Sequence, residues 1–119
     1  MSVNVNPFLK VGTTSKVAAD TTAPSGVQCA GDTKQVGTMD LRQYRVQNNS
    51  TETVFYAYGA NATVAQTNAV IPTNATVGGN SMPLSAGAIE VISAPIGQYW
   101  SAITVTAAAA LYVTPGKGV

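Results

Sequence analysis

The chain has 119 residues and a mass of 12.1 kDa, room for one domain and one core. Charged residues make up 9 %, the net charge is +1 and histidine is absent, whereas an ordinary soluble domain is roughly one quarter charged. That balance argues against nucleic-acid binding, which needs clustered Lys and Arg, and no apolar run approaches the roughly 18 residues of a membrane span.

Residues 1–26 read as an extended N-terminal arm. Asn4, Asn6-Pro7, Gly12, Thr13-Thr14-Ser15 and the stretch Thr21 to Gly26 are turn and loop formers without a sustained period. Phe8 and Leu9 stand among them as apolar points suited to a segment that lies on a partner. A frayed terminus fits the same composition. The remainder, 27–119, reads as a single β-sandwich domain. Its lone cysteine, Cys29, has no second thiol or imidazole with which to form a disulfide or hold a metal. It reads as a small buried hydrophobe, in keeping with synthesis in a reducing cytoplasm.

Strand patterning starts at Leu41. Arg42 to Asn48 alternates around Tyr44 and Val46, and Asn48-Asn49-Ser50-Thr51 turns the chain. Val54 to Tyr58 is β-branched and aromatic, and Gly59 ends it. Ala62–Ala65 and Ala69–Ile71 are shorter strand candidates, with Pro72, Gly78-Gly79-Asn80 and Pro83 forming a long loop. Ala88 to Ser93 alternates, placing Ile89 and Val91 on one face and Glu90 and Ile92 on the other. Tyr99–Val105 and Ala109–Thr114 read as two strands facing each other across Thr106-Ala107-Ala108, and Pro115-Gly116-Lys117-Gly118 stops the sheet. The alanine run 107–110 has helix propensity, but its β-branched and aromatic flanks favour strand. Short strands broken by frequent turns imply an all-β antiparallel sandwich, specifically a jelly roll, with a simple immunoglobulin-like sandwich as the alternative.

The residues give little support to catalysis. General acid–base chemistry draws on histidine or paired carboxylates, and the five carboxylates here are single and scattered. No Gly-x-Ser-x-Gly elbow occurs, and Gly78-Gly79-Asn80-Ser81 lacks the lysine of a phosphate loop. The expectation is a protein that is not an enzyme, with no cofactor, catalytic residue or metal. From Thr53 to Gly116 the only acidic or basic side chain is Glu90. It reads as a solvent-facing residue that discourages edge pairing; cation binding or an ion pair across an interface is the other reading. Tyr99 and Trp100 are adjacent, so one faces the core and one the outside. The outer one suits either a sugar ring or a protein interface.

Five pieces in a fixed order carry a family resemblance: Leu41 to Asn48, Val54 to Gly59, Leu84 to Val91, Gly97 to Thr104 and Leu111 to Gly118. Together they resemble small structural proteins of tailed bacteriophages, in particular head decoration (cement) proteins. The resemblance implies a structural virion protein on the capsid exterior that binds the major capsid protein and stabilises contacts between its copies. It implies synthesis in the host cytoplasm and no nucleic-acid or membrane partner. Closed contacts between copies, as a dimer or trimer on the capsid, are expected because small subunits gain buried area that way. The alternative is a tail or fibre module that recognises a host glycan or another virion protein. The candidate interface residues are Phe8, Leu9, Tyr99, Trp100 and Tyr112.

Overall fold

Wherever apolar and polar residues alternate in this chain, a strand forms with its apolar face turned inward. The computed structural model describes residues 8–32, 41–73 and 80–117. Along them run β1 (Leu9–Lys10), β2 (Ser15–Ala19), β3 (Val27–Gln28), β4 (Leu41–Asn48), β5 (Val54–Gly59), the helix α1 (Ala62–Asn68), β6 (Met82–Leu84), β7 (Ile89–Pro95), β8 (Tyr99–Ile103) and β9 (Ala109–Lys117). In the first sheet β1 and β2 both pair with β9, followed by β4 and then β7; in the second the order is β3-β8-β5-β6. Every ladder is antiparallel. The protein is an all-β antiparallel sandwich.

The core is the space between the two inner faces. Val17 and Ala19 of β2, Tyr44 and Val46 of β4, Ala94 of β7 and Leu111 and Val113 of β9 enter it from the first sheet. Val54 and Tyr56 of β5 and Trp100 and Ala102 of β8 enter it from the second, with Cys29 and Leu84 completing the cluster. Trp100 is fully buried and packs against Tyr44, Tyr58 and Tyr56, at ring-centroid distances of 4.8, 5.3 and 6.2 Å. These tilted arrangements add to the area that the rings bury.

Four sequence expectations are corrected. Ala62–Ala65 is not a strand but the start of α1, because Asn61 Oδ1 accepts the Val64 N–H and caps a helix there. The helix lies on the outside of the second sheet and buries Ala65. Gly59 permits this closeness, since a Cβ there would stand 2.6 Å from Val64 Cγ1 and 2.7 Å from Ala65 N. Ala69–Ile71 follows the helix and forms no strand. The sheet does not stop at Pro115, since β9 continues to Lys117. The Pro115 carbonyl accepts the Val11 N–H at 2.8 Å, in the break between β1 and β2, so the missing proline donor falls where the ladder is already interrupted. Finally, β8 and β9 are not partners within one sheet; the 104–108 connection carries the chain from one sheet to the other.

Of the stretch expected to be an arm, 1–7 lies outside the described residues. Ser15–Ala19 is a full strand in register with Ala109–Val113, and it contributes Val17 and Ala19 to the core. Beyond Leu84 the chain turns through Ser85 to Ala88, closed by the Ala88 N–H to the Ser85 carbonyl, with Gly87 at φ +74°. Gly87 N–H donates to the Asn48 carbonyl and Asn48 N–H to the Ala88 carbonyl, two residues opposite one, which is a glycine bulge.

Asn48 fixes this corner. Fully buried, it donates from Nδ2 to the carbonyls of Glu52, Leu84 and Ser85 and accepts from Ser50 Oγ. Asn48→Leu takes this donor from the Leu84 and Ser85 carbonyls and the acceptor Oδ1 from Ser50 Oγ, and is expected to cost about 2–3 kcal/mol. Urea denaturation checks this: the midpoint falls while the slope stays unchanged.

Candidate functional site

The two outer faces of the sandwich differ. That of the second sheet is covered by α1, where Ala23, Ala57, Ala69 and Ile103 form a small apolar cluster. Gln66 Nε2 donates to the Ala23 carbonyl and Asn68 Nδ2 to the Tyr58 carbonyl, fastening the helix down. On the first sheet, Phe8 at one end is the main described side chain to lie across the outer face.

That face can be written out from the strand register. One row runs Ile89–Gln47–Tyr112–Lys16 and the next Val91–Arg45–Thr114. Thr14 extends the second row through a 2.7 Å hydroxyl contact with Thr114. A cleft of about 320 Å³ opens over β4 and β9, lined by Phe8, Lys10, Thr14, Arg45, Gln47, Tyr112 and Thr114. Lys10, Lys16 and Arg45 are far apart in sequence and read there as scattered. Folding brings them to one face, where none has an ion-pair partner among the described residues.

The carboxylates are engaged elsewhere. Asp32, fully buried, lies 2.5 Å from Arg42 Nη1 and accepts from Tyr44 Oη at 2.5 Å. Glu90 accepts from Tyr56 Oη at 2.6 Å, Glu52 from Thr106 Oγ1, and Asp20 from the Thr21 N–H. Glu90 shares the inward parity of Val46 on the margin of the sandwich, so the solvent-facing residue of the sequence reading also binds the two sheets together.

At its far side the first sheet ends in an open edge. Among the described residues, seven-residue β7 pairs only with β4, and Ile89 and Val91 are 52 % and 37 % exposed. Continuing the antiparallel alternation from the Asn48–Ala88 bond turns the backbone of Glu90 and Ile92 toward β4. The backbone groups of Ile89, Val91 and Ser93 therefore face outward.

The candidate residues separate. Phe8 is buried at the cleft, packed over Gly116, and Leu9 beside it is 60 % exposed. Tyr112 stands half-buried between Gln47 and Lys16. Tyr99 is half-buried on the second sheet, away from these residues, beside Gln28 of β3. Trp100 is the adjacent residue that faces inward, and as an interface candidate it is corrected: it belongs to the core. Its buried Nε1 has no hydrogen-bond acceptor among the described residues. The sequence reading missed Arg45, Gln47, Lys10 and Lys16. The alternation of β4 already put Arg45 and Gln47 on one side, but only the register with β9 and β2 joins them to Tyr112 and Lys16.

Gly78-Gly79 lies outside the described residues. Among those described, no group of three or more His, Cys, Asp or Glu is placed to hold a metal, and no helix is long and apolar enough to cross a membrane. Burial pushes the Cys29 thiol up, so its reactive thiolate form is disfavoured. No protein-family model, curated protein or solved structure matches this chain.

Two phenols report on the integrity of the sandwich. Burial, then donation to Asp32, raises the Tyr44 phenol well above its ordinary value of 10.0. Burial, then donation to Glu90, does the same for Tyr56. Above about pH 10 the unfolded chain loses these protons while the folded chain keeps them, so stability falls as pH rises. The expected result of an ultraviolet titration is that both phenols ionise only as the chain unfolds. Tyr44→Phe and Tyr56→Phe each remove one such proton and flatten the alkaline decline in melting temperature.

Proposed function

We propose that this protein is a structural virion component that binds the outer surface of a phage capsid and stabilises contacts between major capsid proteins. The open β7 edge carries the reading. An exposed edge strand with apolar side chains and unpaired backbone groups is a template for another chain. Ordinary edges are blunted by charged side chains, proline or a bulge; on β7 proline and the bulge are confined to the ends, Pro95 and Gly87, and a single charge, the exposed Glu90 held by Tyr56 Oη, stands along the strand. In a chain with 9 % charged residues, little electrostatic repulsion opposes a neighbour at that edge. The likeness of five strand-and-turn pieces to decoration proteins points the same way.

The strand orders β2-β9-β4-β7 and β3-β8-β5-β6, with the chain crossing repeatedly between sheets, favour reading the sandwich as a jelly roll. That architecture serves viral capsid and lectin domains, among others. Strand addition along β7 joins the protein to a capsid subunit or to a second copy, and pairing of one β7 edge with another closes a two-fold dimer.

Val91→Pro tests the edge directly. The Val91 N–H faces away from β4, so proline there removes no bond of the native ladder but blocks an incoming strand. The variant is expected to keep its β circular dichroism and most of its melting temperature while losing attachment to capsid shells. Shells carrying the native protein should release DNA at a higher temperature than bare shells. Equal release temperatures, with labelled protein found only at the tail, overturn the capsid reading and leave the tail or fibre module in its place.

A further inference from the structure

We propose that the cleft on the outer face of the first sheet is a binding site for a saccharide bearing carboxylate groups. This inference is independent of whether the protein sits on a capsid, because strand addition at β7 extends the plane of the sheet and leaves its face open.

The size and the lining select the ligand class. A space of about 320 Å³ lies at the lower end of small-ligand pockets, roughly 300–1,000 Å³, and accommodates one or two sugar rings. Its floor is the outer surface of β4 and β9, from which Arg45, Gln47, Tyr112 and Thr114 rise. Tyr112 stands in the floor between Gln47 and Lys16. Its ring supplies a face for the C–H side of a sugar, and the Gln47 amide and the Thr14 and Thr114 hydroxyls supply donors and acceptors for ring hydroxyls.

The charges select the sign. Lys10 and Arg45 line the cleft, Lys16 borders it through its pairing with Tyr112, and no lining residue is acidic. All four described carboxylates have donors of their own: Arg42 and Tyr44 for Asp32, Tyr56 for Glu90, Thr106 for Glu52 and the Thr21 N–H for Asp20. Among the described residues none of these three cations has an ion-pair partner. Arg45 presents a planar fork that matches a carboxylate in two-point contact. A protein partner would be met by apolar anchors in a desolvated pocket; here the lining is mainly hydroxyl, amide and cation, with Tyr112 half-exposed and Phe8 already buried. A nucleic acid would be met by a longer basic track.

The test maps amide shifts in nuclear magnetic resonance spectra of the full chain. The probes are a tetrameric oligogalacturonate, the same oligomer methyl-esterified, tetraglutamate and a short DNA duplex. The expected result is saturable shifts at Arg45, Gln47, Tyr112 and Thr114 with the oligogalacturonate alone. Tyr112→Ala and Arg45→Gln should each weaken binding by about tenfold, the loss of one stacking or charge-assisted contact. Tyr112→Phe, which keeps the ring, should bind like the native chain. The dispersion of each variant's own spectrum verifies its fold. Three results overturn the proposal: no saturable binding of the oligogalacturonate, equal binding of its methyl ester, or equally strong shifts from tetraglutamate or DNA.

Discussion

The structure depends on one indole. Trp100 projects from β8 of the second sheet and meets Tyr44 of the first at 4.8 Å, while Tyr56 and Tyr58 flank it from the neighbouring strand. An aromatic side chain of this size removes about 200 Å² from water, a gross gain of about 5 kcal/mol. That is a large contribution where so many other core positions are alanine. The tyrosines pass the constraint outward. Tyr44 reaches the buried Asp32, which holds Arg42, and Tyr56 reaches Glu90 on the edge strand. The aromatic centre thereby fixes the separation of the sheets and ties both ends of their polar margin to it.

The unequal outer faces follow from small residues. Ala57, Gly59 and Ser101 on the second sheet are low enough for a helix and the 20–26 segment to lie flat on them, with Ser101 Oγ bonded to the Pro24 carbonyl. The corresponding positions of the first sheet carry Arg45, Gln47, Tyr112 and Thr114, which are tall and polar. Such a surface favours water or a polar ligand over a covering element. Among the described residues, the side of the sandwich that remains open is therefore set by side-chain height and polarity on β4 and β9.

Much of the fold was legible because strand periodicity is local. β4, β5 and β7 start and end close to where alternation and Gly, Pro and Asn place them. Asn-Ala-Thr-Val at 61–64 misled because its β-branched residues suit a strand, whereas the deciding bond, Asn61 to the Val64 N–H, depends on a backbone angle that composition does not reveal. Pro115 misled because a proline ends a strand only where its ladder needs the donor. The site was less legible for a deeper reason. Tyr112 and Phe8 could be suspected as isolated aromatics, but Lys10, Lys16 and Arg45 become one feature only through two registers spanning most of the chain.

A net charge of +1 conceals this arrangement. Asp32 is paired with Arg42 and Glu90 is held by Tyr56, and no carboxylate lines the cleft on the first sheet's outer face. Exposed charges are screened within about 8–10 Å at physiological salt, so three cations there act only on what already touches the face. They discriminate by sign at contact and do little to draw a ligand from a distance. Attraction at longer range would require a concentrated basic surface, which a chain with 9 % charged residues does not supply. Sparse charge lets one small sandwich present two different surfaces, a polar face lined by Lys10 and Arg45 and an edge strand whose one charge, Glu90, is held by Tyr56.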